Sequence, residues 1–413
     1  MQDFEKLGID EDFNPFYKEH GIKKPTEVQT KIIPKIMENQ SVVCVAQTGT
    51  GKTLAYALPI SELIKKAEDE NGLSAQKSKP IAVILSPTKE LAVQIQQVFK
   101  QLSHHVKLRT RTLVGTPKSV ANLKTQSYEI LIATPNKLLR ALKKGDISFD
   151  NLQYFVMDEA DQLFDMGFKK DIDGTMNFID YGKTDIHFFS ATMPIEVETY
   201  LNEKFEKKKL EKIHLSSSHH VQQQIETYNI FVDVEEKMRM MQLFLEKTAK
   251  GRGIIFVNQR NQVEEVNEFL QEKLPKLKYR ILHGALSQKD RLANHKAFVD
   301  GKAQVLVASD VMARGIDVKD LEWVFNYGLP KTAIYYLHRC GRTGRAGKTG
   351  IVYNLVTKFD TKIINQINES IKKQSTLNLS FITNDIKDEK KRQTKKKVKL
   401  KSKRVKVTKR TRL

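Results

Sequence analysis

Eight residues, Ala46–Thr53 (AQTGTGKT), constrain this 413-residue chain more than any other stretch. They approximate Gly, four residues, then Gly-Lys-Ser/Thr, with Ala46 standing at the first Gly. The apolar run Val42-Val43-Cys44-Val45 before them reads as a buried strand, and Leu54-Ala55-Tyr56-Ala57-Leu58 after them as a helix start. A glycine loop between strand and helix is where backbone N–H groups cradle phosphate. Gly49 and Gly51 permit close backbone approach, and Gln47, Thr48 and Thr50 complete the loop. Lys52 would bring a cation to the outer phosphates and Thr53 a hydroxyl to magnesium.

The same rhythm of apolar strand, polar turn and amphipathic helix repeats from Ile81 to Thr192. Ile81–Leu85 leads to Pro87-Thr88-Lys89-Glu90-Leu91, and Ile130–Ala133 to Thr134-Pro135. Tyr154–Met157 leads to Asp158-Glu159-Ala160-Asp161, and Ile186–Phe189 to Ser190-Ala191-Thr192. Strands alternating with helices imply a parallel α/β sheet, whose ligand crevices lie just after the strands. Asp158, at the end of its strand, suits a carboxylate that holds phosphate-bound magnesium. Glu159 suits the group that orients or deprotonates an attacking water.

Around residues 214–224 (HLSSSHHVQQQ) the apolar period lapses into a linker, and then the rhythm restarts. Ile254–Val257, Val305–Ala308 and Val324–Asn326 are strands, and Ile351–Val356 reads as a closing one. This half has no phosphate loop of its own. It carries His338–Arg345 (HRCGRTGR), which as a bare sequence is either a solvated basic turn or a source of arginines for phosphate. Arg342 follows Lys52 by 290 residues, so a shared phosphate would require the halves to close on each other.

Charge is concentrated at the C-terminus. Residues 390–413 hold 14 Lys or Arg and no acid, two-thirds of the formal net charge of +21. Such a block reads as a disordered tail for a polyanion, with solubility or addressing as the alternatives. No apolar run approaches the roughly 20 residues that span a bilayer, and no secretory signal opens the chain. Two cysteines, Cys44 and Cys340, cannot build a disulfide framework and read as free thiols in a reducing compartment.

Taken together the motifs resemble those of the DEAD-box ATP-dependent RNA helicases, from Phe4 to about Val356. The resemblance implies two tandem RecA-like parallel-sheet α/β domains with a disordered basic C-terminal tail. Their bounds would be 1–30 for a Q-motif segment within the first domain, 31–213 for the rest of it, 214–224 for the linker, 225–370 for the second domain and 371–413 for the tail. In the Q-motif-like segment Gly21–Gln29 (GIKKPTEVQ), Gln29 would read the adenine edge and Phe4 pack on its ring, although Gln29 alone could be a helix-surface residue. Asp317 would lie near the ribose. Asp161, Ser190, Thr192, Arg314 and His338 would couple hydrolysis to movement, and Arg342 and Arg345 would reach the γ-phosphate. RNA would be gripped by its backbone through Pro87, Thr88, Lys89, Glu90, Gly115, Thr134, Pro135, Gln288, Arg291, Ser309 and Asp310, with Thr116 after Gly115. Each of these alone could be a turn or cap.

The family pattern is not followed everywhere. Lys89 replaces Arg, Thr116 replaces Gly, and Asn136-Lys137 replace Gly-Arg, all on the presumed RNA face, while Ser309 for Thr and Cys340 for Ile are mild. The expectation is a cytoplasmic monomer, of bacterial rather than eukaryotic type, that uses ATP and magnesium. It would open short RNA duplexes or remodel ribosomal or RNA-decay complexes, with no membrane partner. A DNA helicase and an ATP-gated RNA clamp are the alternatives.

Overall fold

The structure, a computed structural model, describes residues 2–46, 49–72, 74–115, 121, 123–206, 208–215, 225–310, 321–330, 333–344, 349–361 and 364. The chain divides into two units, Met1–Ser218 and His219–Leu413. The basic tail lies outside the described residues.

In the first unit short apolar runs form β1 (Val42–Val45), β3 (Ala82–Leu85), β6 (Ile130–Ala133), β7 (Tyr154–Asp158) and β8 (Asp185–Ser190). With β4 (Thr110–Leu113) and β9 (Glu211–His214) they make a parallel sheet in the order β4-β6-β3-β7-β8-β1-β9. A small antiparallel pair, β2 (Gln76–Lys77) and β5 (Ser127–Tyr128), stands apart. Side chains alternate across each strand, so the sheet carries two cores. Val42, Cys44, Ile84, Val156 and Phe189 belong to one, and Val43, Val83, Leu131, Phe155 and Phe188 to the other.

Helices cover both faces. In chain order they are α1 (Gln2–Glu5), α2 (Asn14–Glu19), α3 (Glu27–Met37), α4 (Lys52–Asn71), α5 (Lys89–Val106), α6 (Pro135–Lys143), α7 (Ala160–Asp165), α8 (Lys169–Met176) and α9 (Ile195–Lys204). Two residues expected in the linker belong to this unit instead. His214 ends β9, and the buried Leu215 donates its N–H to the Val45 carbonyl at 3.1 Å. The polar run hid this strand because its pairing comes from β1, far back in the chain. Residues 216–224 lie outside the described residues.

The second unit holds β10 (Ile225–Phe231), β11 (Gly253–Val257), β12 (Tyr279–Leu282), β13 (Val305–Ser309), β14 (Trp323–Asn326) and β15 (Gly350–Val356). They pair in parallel in the order β10-β15-β14-β11-β13-β12. Strand β15 therefore does not close the sheet. It lies between β14 and β10, because β10 takes the edge beside it. The helices are α10 (Lys237–Lys247), α11 (Arg260–Lys273), α12 (Gln288–Val299) and α13 (Ala333–Cys340).

Candidate active site

Gly51 precedes α4 at φ +92°, and Gly49 stands at φ +82°. A Cβ on Gly51 would come within 2.6 Å of the Gln29 amide nitrogen, so this position has neither the φ nor the room for a side chain. Gln29 is buried and belongs to a capping box on α3. Its Oε1 accepts from the Thr26 N–H at 2.9 Å while Thr26 Oγ1 accepts from the Gln29 N–H at 3.4 Å. The Gln29 Nε2 donates to the Gly51 carbonyl at 3.2 Å. It is therefore not a helix-surface residue; it ties the N-terminal segment to the phosphate loop. Lys52 is buried too and donates Nζ to the Ala46 carbonyl at 2.7 Å. Thr53 and Thr50 are half-buried, and Gln47 and Thr48 lie outside the described residues.

Phe4 does not present a free face for an adenine ring. It is 1% exposed and stacks on Tyr17, with centroids 4.2 Å apart and planes at 15°. An apolar ring gains more from this aromatic contact inside the N-terminal helices than from solvent.

Strand β8 lies between β7 and β1, so the ends of these three strands bring the acidic run, Ser190-Ala191-Thr192 and the phosphate loop side by side. Asp158 is 3% exposed. Its Oδ1 accepts from the Glu159 N–H at 2.9 Å and its Oδ2 from the Tyr56 hydroxyl at 2.9 Å. Burial, followed by the charge of Glu159, pushes its carboxyl up to about 6, against the pull of Lys52. Glu159 sits in the left-handed region at φ +52°, unusual for a residue with a Cβ, and accepts from Gln162 Nε2 at 2.9 Å. Asp161 is fully buried. Its Oδ2 accepts from the Thr192 N–H at 3.0 Å and hydroxyl at 2.7 Å, and its own N–H donates to Ser190 Oγ at 3.1 Å. The acidic run and the Ser-Ala-Thr segment are thereby one hydrogen-bonded piece.

Next along the same sheet edge come β3, β6 and β4, with the residues expected to grip RNA. Pro87 is buried after β3, and Thr88 caps α5 by accepting from the Leu91 N–H at 3.2 Å, leaving Lys89 and Glu90 half-exposed on the first turn. Thr134 and Pro135 start α6 after β6. Gly115 follows β4 at φ +99°, and a Cβ there would meet Lys137 Cε at 2.7 Å. The lysine that departs from the family pattern therefore lies across this glycine. Thr116 lies outside the described residues.

The second unit is organised by Arg339, 1% exposed at the end of α13. Its Nε and Nη2 donate to Asp310 Oδ1 and Oδ2 at 2.5 and 2.7 Å. Nη1 donates to Asn326 Oδ1 at 2.9 Å and the Gly328 carbonyl at 2.6 Å, and Nη2 also reaches Asn258 Oδ1 at 2.9 Å. A buried guanidinium requires this full set of acceptors. Asp310, expected to contact RNA, is instead committed to that fork. Below it Asn326 donates to Asn354 Oδ1 at 2.7 Å, and Asn354 donates to Asn229 Oδ1 at 2.8 Å and the Tyr336 hydroxyl at 3.0 Å. Arg342, 7% exposed, lies in the turn after α13 and is bonded through its N–H to the Arg339 carbonyl at 3.1 Å. His338 is buried on α13, and Ser309 ends β13 half-exposed. Gln288 opens α12 and Arg291 follows three residues later on the same helix. Arg314, Asp317 and Arg345 lie outside the described residues.

The family model for DEAD/DEAH box helicases matches residues 26–200, and that for the helicase conserved C-terminal domain matches 235–347. The DEAD-box ATP-dependent RNA helicase RhpA of Helicobacter pylori (strain B128) is 34% identical over 370 residues, 89% of this chain and 72% of that protein. The chain belongs to the DEAD-box ATP-dependent RNA helicases. DbpA of Bacillus subtilis (strain 168), an ATP-dependent RNA helicase, is 33% identical over 90% of this helicase and 75% of its own length. Among solved structures, Mss116p bound to ssRNA and AMP-PNP superposes with a TM-score of 0.78 at 25% identity, over 89% of this chain and 76% of that one. S. cerevisiae Dbp5, bound to RNA and ADP BeF3, shares the fold with a TM-score of 0.77 at 24% identity, over 91% and 93% of the two chains.

Sequence reasoning passes over Tyr56 and Arg339 in this helicase. Tyr56 reads as one more apolar helix residue, and Arg339 as part of a basic cluster. The Asn that ends Val324-Phe325-Asn326 is the available signal, since a buried strand asparagine needs a partner.

Proposed function

We propose that this helicase drives local opening of short RNA duplexes, or remodelling of RNA–protein complexes, by RNA-stimulated ATP hydrolysis with little sequence preference. The observation that carries the reading is the division of one sheet edge. Strands β7, β8 and β1 present the acidic run, Ser190–Thr192 and the phosphate loop, while β3, β6 and β4 beside them present Thr88, Thr134 and Gly115. A single rigid sheet then links nucleotide state to grip on a polyanion.

In this reading phosphate oxygens take over the Lys52 ammonium from the Ala46 carbonyl. The Thr53 hydroxyl and Asp158 carboxylate are hard oxygen donors of the kind magnesium prefers, and a carboxyl pushed up to about 6 by burial gains from a nearby cation. Bound there, magnesium would neutralise charge on the outer phosphates. Glu159 takes the water's proton, and Arg342 and Arg345 stabilise the transferring phosphoryl group in a hydrolysis-competent form. Asp317 serves the ribose, and Arg314 and His338 serve coupling. Gln29 reads the base by exchanging its bond to Gly51. Two buried free thiols, Cys44 and Cys340, fit the cytoplasm, and the working unit is a monomer.

ATPase assays with RNA, DNA or no nucleic acid, paired with duplex release with and without ATP, test the reading. Stimulation by RNA and ATP-dependent release are expected. Glu159→Gln should keep nucleotide binding and lose turnover. Turnover at the wild-type rate would show that Glu159 is not the base, and RNA-stimulated turnover with no ATP-dependent release would favour an ATP-gated RNA clamp.

A further inference from the structure

Tyr56 is fully buried on α4, one turn beyond Thr53. Its ring packs against Phe189 of β8, centroids 4.9 Å apart, and more loosely against Phe99 at 6.4 Å. For that packing a phenylalanine would do, and it would bury no hydroxyl. The hydroxyl is nevertheless used: it donates to Asp158 Oδ2 at 2.9 Å. Asp158 Oδ1 is held separately by the Glu159 N–H at 2.9 Å, so both carboxylate oxygens are pinned, one from its own strand end and one from the helix of the phosphate loop.

We infer that Tyr56 is a positioning residue: its hydroxyl, bonded to Asp158 Oδ2, ties that carboxylate to the helix that bears Thr53 and sets its orientation as an oxygen donor for the nucleotide's magnesium. The inference rests on the proposed function of the site. Its geometric basis is the sheet order. The two donors come from segments that β8 separates, and the Tyr56 ring crosses that strand at Phe189 to reach from one to the other. Without the hydroxyl, the Asp158 carboxylate must be ordered when the cation arrives rather than before.

The test uses the full chain with Tyr56→Phe and Tyr56→Leu. Binding of a fluorescent ATP analogue is titrated with magnesium in the absence of RNA, and thermal unfolding of the nucleotide-free proteins is followed in parallel. In Tyr56→Phe the magnesium midpoint should rise roughly tenfold, the effect of one hydrogen bond to a charged group. Nucleotide affinity should recover as magnesium is raised. Tyr56→Leu, which also lacks the ring, should show the same midpoint shift with a lower unfolding temperature. A wild-type midpoint in Tyr56→Phe, or a shift confined to Tyr56→Leu, overturns the role of the hydroxyl and assigns the residue to packing. Nucleotide binding by the wild type that is indifferent to magnesium would overturn the site assignment itself, and this inference with it.

Discussion

The phosphate-loop region and the Arg339 region both bury charge at the ends of parallel strands, but they satisfy it differently. In the first unit the bonds are local stand-ins: Lys52 on the Ala46 carbonyl, Gln29 on the Gly51 carbonyl. A ligand can replace each without disturbing the cores. In the second unit Arg339 is bound to Asp310, Asn326, Asn258 and Gly328, and the chain of bonds continues through Asn354 to Asn229 on the edge strand. Those bonds run through the core and stand where apolar packing would otherwise be. Polar groups meant for a ligand are held by exchangeable partners, whereas polar groups that define a shape are held by permanent ones.

Two arginines close together in the chain, Arg342 and Arg339, offer the sharpest way to break that comparison. Arg342→Ala should slow RNA-stimulated hydrolysis by up to about 10³–10⁵-fold, the range of an arginine finger, in a steady-state ATPase assay. Its neighbour should act on folding instead. Arg339→Ala leaves the half-buried Asp310 without its fork and should cost about 3–5 kcal/mol, read by denaturant unfolding of the second unit. Arg339→Lys should not restore it, since one ammonium cannot serve the fork and three further acceptors. Equal stability of Arg339→Ala and wild type would erase the distinction between the two regions.

A smaller effect sharpens the contrast within the first unit. His187 on β8 is fully buried, and neither ring nitrogen has a hydrogen-bond partner among the described residues. Burial, assisted by the charge of Lys208, pulls it down to about 3 from its ordinary value near 6.5. The folded state thus resists a proton that the unfolded chain accepts. The stability contributed by neutral His187 is complete above about pH 6.5 and is lost as pH falls toward about 3, at roughly 1.4 kcal/mol per pH unit. Unfolding measured across that window should show a shallower acid slope in His187→Leu. An unchanged slope would mean that the imidazole escapes its burial. The smallest effect concerns the C-terminal charge. Deleting residues 390–413 should lower the logarithmic salt slope of RNA binding by roughly 0.7 for each phosphate that the segment neutralises, while leaving the maximal ATPase rate near wild type. Identical slopes would make the segment an address or a solubility aid.

What could be read in the sequence was whatever is signalled locally. Val42–Val45 followed by glycines and a helix, or Tyr154–Met157 followed by acids, carries strand, loop and chemistry within a dozen residues. Strands whose pairing is supplied from far away were not legible. In β9, Glu-Lys-Ile-His has a single aliphatic residue and half-exposed edge positions, and only β1 makes it a strand. The same holds for β4, Thr-Arg-Thr-Leu. Partners remote in sequence were equally hidden. The fate of Phe4 depends on Tyr17, that of Asp310 on Arg339, and that of Asp158 on Tyr56. A motif names the residue but not the neighbour it packs or bonds against.

Strand order also sets a schedule for the nascent chain. Strand β1, which feeds the phosphate loop, is completed on its two sides by β8 and β9, both made long after it. Between Val42 and His214, a ribosome adding about 5–20 residues per second spends roughly 9 to 34 s. Until Ser190 is made the Val-Val-Cys-Val segment lacks both of its neighbours, and until His214 it lacks one, so four apolar residues stay available to wrong partners. For most of that time nucleotide cannot assist folding, because Asp158, which would hold its magnesium, is made well after the phosphate loop. Synthesis of this unit is therefore most exposed to aggregation between its first and its last strand-forming segments, and a pause placed before β8 would lengthen that exposure.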